Sequence, residues 1–310
     1  MSTGPNEHGV IVGSAREGPS IAGFHKIVGL QRCETEYRLH DIVGLSDKHP
    51  KDNTAMAVGT ICHAGRAAWF ATQCTESVDF VVNAIQDYVK SSNDPVKVTA
   101  EREAIRLMTA YVKHWRLQPK PNVLDDEYPL GPAPLKENDP FFLYRTARLD
   151  DVSIYPDSLG QAVVGDLKTT SDSISGCMNE YRQHGQFITY AILWKMAKEG
   201  QAKFGPSPGV MIDIMTKDDN PKFHRELIVV TEFQQRWWYA NMSHLLRRAA
   251  QITESTPTMR DTTQCARSIS RKGSYLCQFH KLCQYGVSAA GQYILPNGDS
   301  LDTRPELVDI

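Results

Sequence analysis

The hydrophobic period of this 310-residue chain changes near residue 120, and that change limits the folds that the chain can adopt. Before it, apolar residues recur at helical spacing; after it, they alternate with polar residues and β-branched residues become common. The pattern predicts three helices and then three strands, over 54–73, 76–91, 99–116, 121–130, 140–154 and 160–169. The turn from Pro156 to Gly160 would join the last two strands in an antiparallel meander.

The second half of the chain returns to regular elements and then loses its regularity. It predicts a helix, two strands and a helix, over 176–199, 208–216, 223–231 and 232–253. Helices that precede and follow strands in this order indicate an α/β fold. We therefore expect a loose segment over 1–19, one domain over 20–255 with a helical N-terminal part, and a Cys-rich segment over 256–310.

Charge and cysteine content limit the possible partners. The chain has 34 Lys and Arg residues against 36 Asp and Glu, a net charge of -2, which argues against a basic coat over the whole surface. No run approaches the roughly 18 apolar residues of a membrane span, and no signal-like segment begins the chain. We expect a protein that is neither secreted nor membrane-spanning. Seven cysteines then favour thiol or metal chemistry over a disulfide framework.

The predicted strand at 160–169 carries opposite charges on one face. Because strand side chains alternate, Asp166 and Lys168 project from one side and Leu167 from the other. The preceding turn would bring Asp150 across from Asp166. Two carboxylates and a lysine suit phosphodiester hydrolysis, since carboxylates bind Mg²⁺ or Mn²⁺ and a lysine can orient the attacking water. The alternative is a surface ion pair without a catalytic role.

Two of the predicted helices carry further candidates. Gln186 and Tyr190 are four residues apart and therefore share one helix face. In the helix at 54–73, Gly59 permits a close approach and His63 can supply an imidazole ligand. A lone helical histidine is more often a packing residue, and that alternative stays open for His63.

In chain order, these motifs resemble the RecB-like branch of the PD-(D/E)XK nuclease superfamily. The matching segments are GTICH (Gly59 to His63), LDDEYPL with Glu127, ARLDDV with Asp150, GDLKTT with Asp166 and Lys168, and QFITY (Gln186 to Tyr190). The resemblance spans about 55–232 and implies a restriction-endonuclease-like core, in which helices flank a mixed central sheet. It also implies metal ligation by His63, Asp150, Asp166 and the Leu167 carbonyl, catalysis by Lys168, and DNA-strand binding by Gln186 and Tyr190.

Three positions depart from the family pattern or compete with it. Ala147 stands where the family usually has Gly before the basic residue. Asp151 directly follows Asp150 and is a rival for the ligand role, although the motif favours Asp150. Glu127 either stabilises the site through a nearby arginine or lies with neighbouring acids on a solvated turn, and the solvated turn is slightly favoured.

Four cysteines suggest a second cofactor. They are Cys33, before the core, and Cys265, Cys277 and Cys283, after it. Four thiolates bind iron–sulfur clusters, which would tie the N-terminal segment to the C-terminal tail. The arrangement resembles RecB-like nucleases that carry a 4Fe–4S cluster, with a longer gap after Cys265 than in several relatives. A local zinc site with His280 in place of Cys33 is one alternative, and free thiols are another.

Other side chains have simpler interpretations. Three further cysteines are predicted to be ordinary thiols, buried or partly buried: Cys62, Cys74 and Cys177. Trp237 and Trp238 are adjacent on a helix, so at least one should pack in the core. Arg182 and Arg248 are among the candidates for a local phosphate-binding groove, and for Arg248 a solvated helix face is the alternative.

The resemblance implies a metal-dependent DNA exonuclease, acting at single-stranded DNA ends in recombination, repair or phage DNA processing. It would use Mg²⁺ or Mn²⁺, carry a 4Fe–4S cluster, and work in the cytoplasm of a bacterial or phage-infected cell, with a recombination or helicase partner. The alternative is a non-catalytic iron–sulfur protein that binds DNA ends; an RNA substrate also stays open. The complete set of His63, Asp150, Asp166 and Lys168 favours the enzyme, since a pure binder would not need all four.

Overall fold

The computed structural model describes residues 24–47, 54–126, 128–134, 144–197, 203–207, 209–258, 266–270 and 273–307. Contacts divide the chain into two compact units. The larger unit contains 52–239, and the smaller one combines 23–51 with 240–310. No helix in the described ranges is both long and apolar enough to cross a membrane.

The helices begin at residues that can satisfy their first N–H groups. The helices are α1 (Phe24–Arg32), α2 (Glu34–Tyr37), α3 (Thr54–Ala71), α4 (Val78–Ser92), α5 (Pro95–Trp115), α6 (Ile174–Tyr181), α7 (Gly185–Ala197), α8 (Glu232–Gln251) and α9 (His280–Tyr285). The Ser77 and Ser173 hydroxyls cap α4 and α6 by accepting backbone hydrogen bonds. Asp94 caps α5 in the same way, and Pro95 suits its first turn because its φ is already helical.

A five-stranded mixed sheet forms the centre of the larger unit. The strands are β1 (Ser46–Asp47), β2 (Asn122–Asp126), β3 (Pro129–Pro134), β4 (Tyr144–Arg148), β5 (Asp151–Ile154), β6 (Ala162–Thr170), β7 (Gly209–Thr216), β8 (Phe223–Val229), β9 (Ala266–Ser270), β10 (Gly273–Leu276) and β11 (Tyr293–Ile294). The sheet order is β2-β5-β6-β7-β8. Only β6 and β7 pair in parallel, across α6 and α7, while the other neighbours are antiparallel.

Helices α3, α4 and α5 pack against one face of this sheet. The core between them includes Trp69, Phe70 and Tyr111 from the helices and Leu167 from β6. On the opposite face of β6, Asp166 and Lys168 point toward α7, because strand side chains alternate. The predicted α/β class, with helices flanking a mixed sheet, is confirmed.

Several predicted elements are shorter than the sequence pattern indicated. The predicted strand at 121–130 divides into β2 and β3, and 140–154 divides into β4 and β5; β3 and β4 pair with each other outside the main sheet. The predicted helix at 176–199 is interrupted by a turn over 182–184. The second helix, α7, begins at Gly185, and glycine is a weak helix former. Local periodicity cannot detect such breaks, because each half keeps the same spacing as the whole.

The smaller unit has a modest core and little regular structure. Leu39 packs with Phe279, Leu282 and Leu301 in a buried cluster of apolar side chains. β1 pairs with β11, which joins the N-terminal and C-terminal segments within this unit. The C-terminal segment, predicted to be irregular, contains the β9–β10 hairpin and α9 between its loops. The predicted domain bounds, 20–255 and 256–310, stay predictions.

Candidate active site

Asp166 and Lys168 form the centre of the candidate site. The Lys168 ammonium lies 2.7 Å from Asp166 Oδ2, and the two side chains are 23% and 3% exposed. They meet because both project from the same face of β6. Asp166 Oδ2 is buried and accepts no well-aligned hydrogen bond from the described residues. The ion pair therefore leaves part of the bonding capacity of this oxygen unused.

Asp150 joins this pair from the break between β4 and β5. Its Oδ2 accepts a 2.8 Å hydrogen bond from the Leu167 N–H, so the carboxylate is fixed to the backbone of β6. The same oxygen lies 2.9 Å from Nδ1 of His63 on α3. The predicted approach of Asp150 to the Asp166 region is thus present, and His63 contacts a carboxylate instead of only packing.

The environment separates the pKa values of the two carboxyl groups. Burial alone would raise the pKa of Asp150, but the adjacent His63, with Arg66 and Lys168, holds it below its ordinary value. Burial and the nearby Asp150 charge raise the pKa of Asp166, against the opposing effect of Lys168. A pair of carboxyl groups with divergent pKa values is typical of sites that bind cations or transfer protons.

Helix α7 contributes an amide and a phenol to the same side of β6. Gln186 Nε2 donates a 2.7 Å hydrogen bond to the Tyr190 hydroxyl and lies 3.5 Å from Asp166 Oδ1. Phe187, between them in sequence, places its ring centroid 5.6 Å from the Lys168 ammonium. The structure thus groups Gln186 and Tyr190 with the acids; Phe187 has no polar atom and escaped the sequence analysis.

Asp151 does not share the environment of Asp150. Its carboxylate is fully buried and lies 2.7 Å from the Arg66 guanidinium, on the face of the sheet that α3 covers. Tyr155 also donates hydrogen bonds to it. Asp151 is therefore engaged away from Asp166, which removes it as a rival for the ligand role. Sequence analysis missed Arg66, although a charged residue three positions after His63 in an apolar helix was a signal.

The donor chemistry of the site fits a hard divalent cation. The carboxylates of Asp150 and Asp166 both lie at β6, and carboxylate oxygens are the hard ligands that Mg²⁺ prefers. The 2.9 Å contact between His63 Nδ1 and Asp150 Oδ2 is a hydrogen bond, which His63 would give up to bind a metal through this nitrogen. As the side chains stand, no three His, Cys, Asp or Glu residues among those described are grouped into a metal site.

The structure places the remaining residues of the sequence analysis in different environments. Glu127 lies outside the described residues. Ala147 is buried on β4, opposite Leu130 of β3. The candidate phosphate-binding Arg182 is paired with Glu226. Trp238 is buried and Trp237 is 57% exposed. This agrees with the prediction that at least one of the two packs in the core.

The cysteines fall into two groups. Cys62 and Cys74 are buried in the larger unit, where burial raises their pKa values to about 12 and about 11, in agreement with inert thiols. Cys177 is also buried, beside the Thr170 hydroxyl. The predicted cluster ligands Cys33, Cys277 and Cys283 all lie in the smaller unit. The fourth, Cys265, lies outside the described residues.

A buried arginine accompanies the cysteines of the smaller unit. Arg38 is 1% exposed and donates hydrogen bonds to the carbonyl oxygens of Glu254 and Leu307. Its Nε atom has no hydrogen-bond partner in the described chain. Burial lowers the pKa of Arg38, and the negative charge available at Cys283 partly offsets that effect. Such a cation fits an environment that contains anionic thiolates.

Comparison with known proteins gives a distant similarity. No family model matches the chain, and no curated protein matches it. The chain is similar to the crystal structure of a "Putative exonuclease" from Eubacterium rectale, with 14% identity over 79% of this chain and 88% of the other, and a TM-score of 0.42.

Proposed function

We propose that this chain is a metal-dependent deoxyribonuclease that hydrolyses phosphodiester bonds at single-stranded DNA ends. One observation carries the proposal: two carboxylates, Asp150 and Asp166, meet the Lys168 ammonium at β6, with His63 bonded to one of them. The resemblance of the sequence motifs supports the substrate class and the action at ends. Recombination, repair and phage DNA processing are the settings in which such an activity would serve.

Mg²⁺ or Mn²⁺ is the proposed cofactor of this site. His63, Asp150, Asp166 and the Leu167 carbonyl would hold the ion. When bound, it would supply positive charge to the scissile phosphate and lower the pKa of an attacking water. The two carboxylates at β6 support this assignment, because carboxylate oxygens are the ligands that Mg²⁺ and Mn²⁺ prefer.

Lys168 has the proposed role of orienting the nucleophile and stabilising charge that develops on the phosphate. Its ammonium is held by Asp166 yet remains partly exposed, so it can reach a substrate without a rearrangement of β6. Charge stabilisation by a preorganised cation is a major contribution to phosphoryl chemistry. Gln186 and Tyr190 share a hydrogen bond and would together orient the DNA strand beside this lysine.

A 4Fe–4S cluster is the proposed second cofactor, bound by Cys33, Cys265, Cys277 and Cys283. Two observations support it: the three described cysteines belong to the same compact unit, and Arg38 is buried there without a carboxylate in the described residues. A thiolate-ligated cluster is anionic and would compensate this cation. Structural zinc is the alternative, and metal analysis distinguishes the two.

Digestion of end-labelled DNA tests the function. Anaerobically purified protein should remove label from single-stranded DNA in Mg²⁺ or Mn²⁺ and not in EDTA, while Lys168→Ala should lose at least about a hundredfold in rate. Lys203→Ala is the matched control, because it removes another lysine–aspartate ion pair of the larger unit, with Asp125. The control should cleave like the wild type.

The same assay decides between the two classes of function. If folded wild-type protein retains labelled DNA in a binding assay but cuts neither single-stranded nor double-stranded substrate, the DNA-end-binding alternative replaces the enzyme. If labelled RNA is degraded and DNA is not, the hydrolase stands with a different substrate. Comparison of 5′ and 3′ labels on a cut DNA strand gives the polarity.

A further inference from the structure

Two consecutive acidic residues are held by two residues of one helix. Asp150 lies against His63, and Asp151 lies against Arg66. His63 and Arg66 are three positions apart on α3, so they occupy neighbouring places on the same helix face. Helix α3 is therefore attached to the start of β5 twice, once at the candidate site and once beneath the sheet.

The buried attachment is built with several specific contacts. Arg66 Nη2 lies 2.7 Å from Asp151 Oδ2 and donates a 2.9 Å hydrogen bond to the Tyr155 hydroxyl. Tyr155 and Ser153 both donate to Asp151 Oδ1, at 2.9 and 2.6 Å. Space for the carboxylate depends on Gly165, since a Cβ there would lie only 1.9 Å from Asp151 Oδ2.

We propose that the Arg66–Asp151 pair is a positioning clamp for the site of the divalent cation. The pair fixes the distance between His63 and Asp150, two of the proposed ligands. The proposal rests on the proposed function, because the cation is that of the nuclease site. Neither Arg66 nor Asp151 would touch the ion. Their role is to hold α3 and β5 in the relative position at which the two preceding ligands converge.

The physical reason is that the Asp151 contacts restrict the backbone at Asp150. Asp150 lies between strands and lacks the ladder hydrogen bonds that fix a strand residue, so the neighbouring Asp151 limits how far its backbone can move. A buried carboxylate that loses its arginine is costly and moves toward water. That movement would shift the adjacent Asp150 away from His63. Partners outside the ligand set commonly change metal affinity by about 10-fold to 100-fold.

The larger unit contains a comparable pair that serves as a control. Arg225 lies 2.6 Å from Asp213, and the two side chains are 6% and 0% exposed, against 2% and 0% for Arg66 and Asp151. Tyr111 donates a hydrogen bond to Asp213, as Tyr155 does to Asp151. This second pair joins β7 to β8 and α5, and Arg225 approaches the clamp only through the Tyr155 ring, 5.1 Å from its guanidinium. Its loss should lower stability to a similar extent and weaken cation binding less than loss of the Arg66 pair.

The test compares Mn²⁺ binding by the wild type, Arg66→Met and Arg225→Met. Electron paramagnetic resonance of free Mn²⁺ gives the dissociation constant without any need for activity, and thermal melting of the same samples reports stability. We expect Arg66→Met to weaken Mn²⁺ binding at least about tenfold. Arg225→Met should melt at a similarly lowered temperature and bind Mn²⁺ several times more tightly than Arg66→Met does.

A milder pair of variants covers the case in which the arginine variants do not fold. Tyr155→Phe deletes the hydroxyl that bonds to both Arg66 and Asp151, whereas Tyr111→Phe deletes the corresponding hydroxyl at Asp213. We expect Tyr155→Phe to weaken Mn²⁺ binding severalfold and Tyr111→Phe to leave it unchanged. Equal Mn²⁺ affinity in both members of the folded pair would overturn the clamp.

The outcomes separate the clamp from the proposed function. Wild-type protein that binds no Mn²⁺ would overturn the metal site and the clamp with it. If the wild type binds Mn²⁺ and the Arg66 variant binds it equally well, only the clamp is lost. If the wild type binds Mn²⁺ and the variants differ as expected, but DNA is not cut, the clamp stands and the nuclease proposal fails.

Discussion

The two units compensate their buried charges in different ways. In the larger unit, Arg66 and Arg225 each lie within 2.7 Å of a buried aspartate. In the smaller unit, buried Arg38 donates hydrogen bonds to the carbonyl oxygens of Glu254 and Leu307. Because a buried charge is costly unless it is paired, carboxylates of the chain compensate the arginines of the larger unit, whereas the anionic cluster proposed for the smaller unit would compensate Arg38.

The hydrophobic cores of the two units also differ. The sheet and α3–α5 of the larger unit enclose large side chains such as Trp69 and Tyr111. The smaller unit packs mainly leucines and two aromatic rings, Phe279 and Tyr293, between short elements. A small core rarely stabilises a domain alone, and a metal cluster is one common supplement. Under the proposed function, the two units would therefore depend on their cofactors for different reasons: the larger for chemistry, the smaller for folding.

Removal of the cluster is the largest perturbation that the comparison predicts. Structural metals contribute about 10 kcal/mol or more to the folding of small domains, so loss of iron should unfold the smaller unit and leave the larger one folded. Hydrogen exchange should show loss of protection around Leu39 and Leu282 after chelation, with β6 and β7 still protected. Equal protection in both units before and after iron removal would contradict this prediction.

A point variant tests the ligand assignment within the same prediction. Cys33→Ala should reduce the iron content from about four atoms per chain to near zero. Cys62→Ala is the control, because Cys62 is buried in the larger unit and belongs to no proposed ligand set. Zinc in place of iron, retained in Cys33→Ala, would favour the alternative site with His280.

Gly165→Ala is expected to cause the next largest loss of stability, and it tests how much the buried Arg66–Asp151 pair contributes to the larger unit. The new Cβ would collide with the Asp151 carboxylate and separate it from Arg66. Breaking a buried ion pair costs about 3–5 kcal/mol, so the free energy of unfolding in urea should fall by about that amount. Gly59→Ala is the control: its Cβ would meet only the Thr169 hydroxyl at 3.3 Å, and alanine favours the helix. A similar loss in both variants would show that the Asp151 pair is not the cause.

Local patterns predicted which candidate side chains lie next to each other on β6 and α7, but not the buried Arg66–Asp151 pair beneath them. Strand alternation was enough to place Asp166 beside Lys168, and helical spacing was enough to place Gln186 beside Tyr190. Both rules use residues within four positions of each other. Both contacts are present in the structure because each pair lies on one regular element.

The buried network required information that no local pattern contains. Arg66 and Asp151 are far apart in sequence, and Asp151 looked like a rival ligand until its partner was known. One local signal was present: Gly165 lies in the interior of a strand, which is typical of a position where another group approaches closely. The smaller unit was harder still, since its elements are short and its proposed cluster leaves no hydrophobic period to detect.

An exposed ion pair of the smaller unit should give the smallest effect. Arg248 forms a two-pronged pair with Glu34, whose side chain is 21% exposed against 33% for the arginine. Because water screens such pairs, Arg248→Gln should lower the free energy of unfolding by no more than about 1 kcal/mol. Arg236→Gln, which removes the more exposed pair with Glu232, should cost less than about 0.5 kcal/mol. If Arg248→Gln instead costs as much as Gly165→Ala, the smaller unit depends on its own ion pairs, and the contrast between the two units is lost.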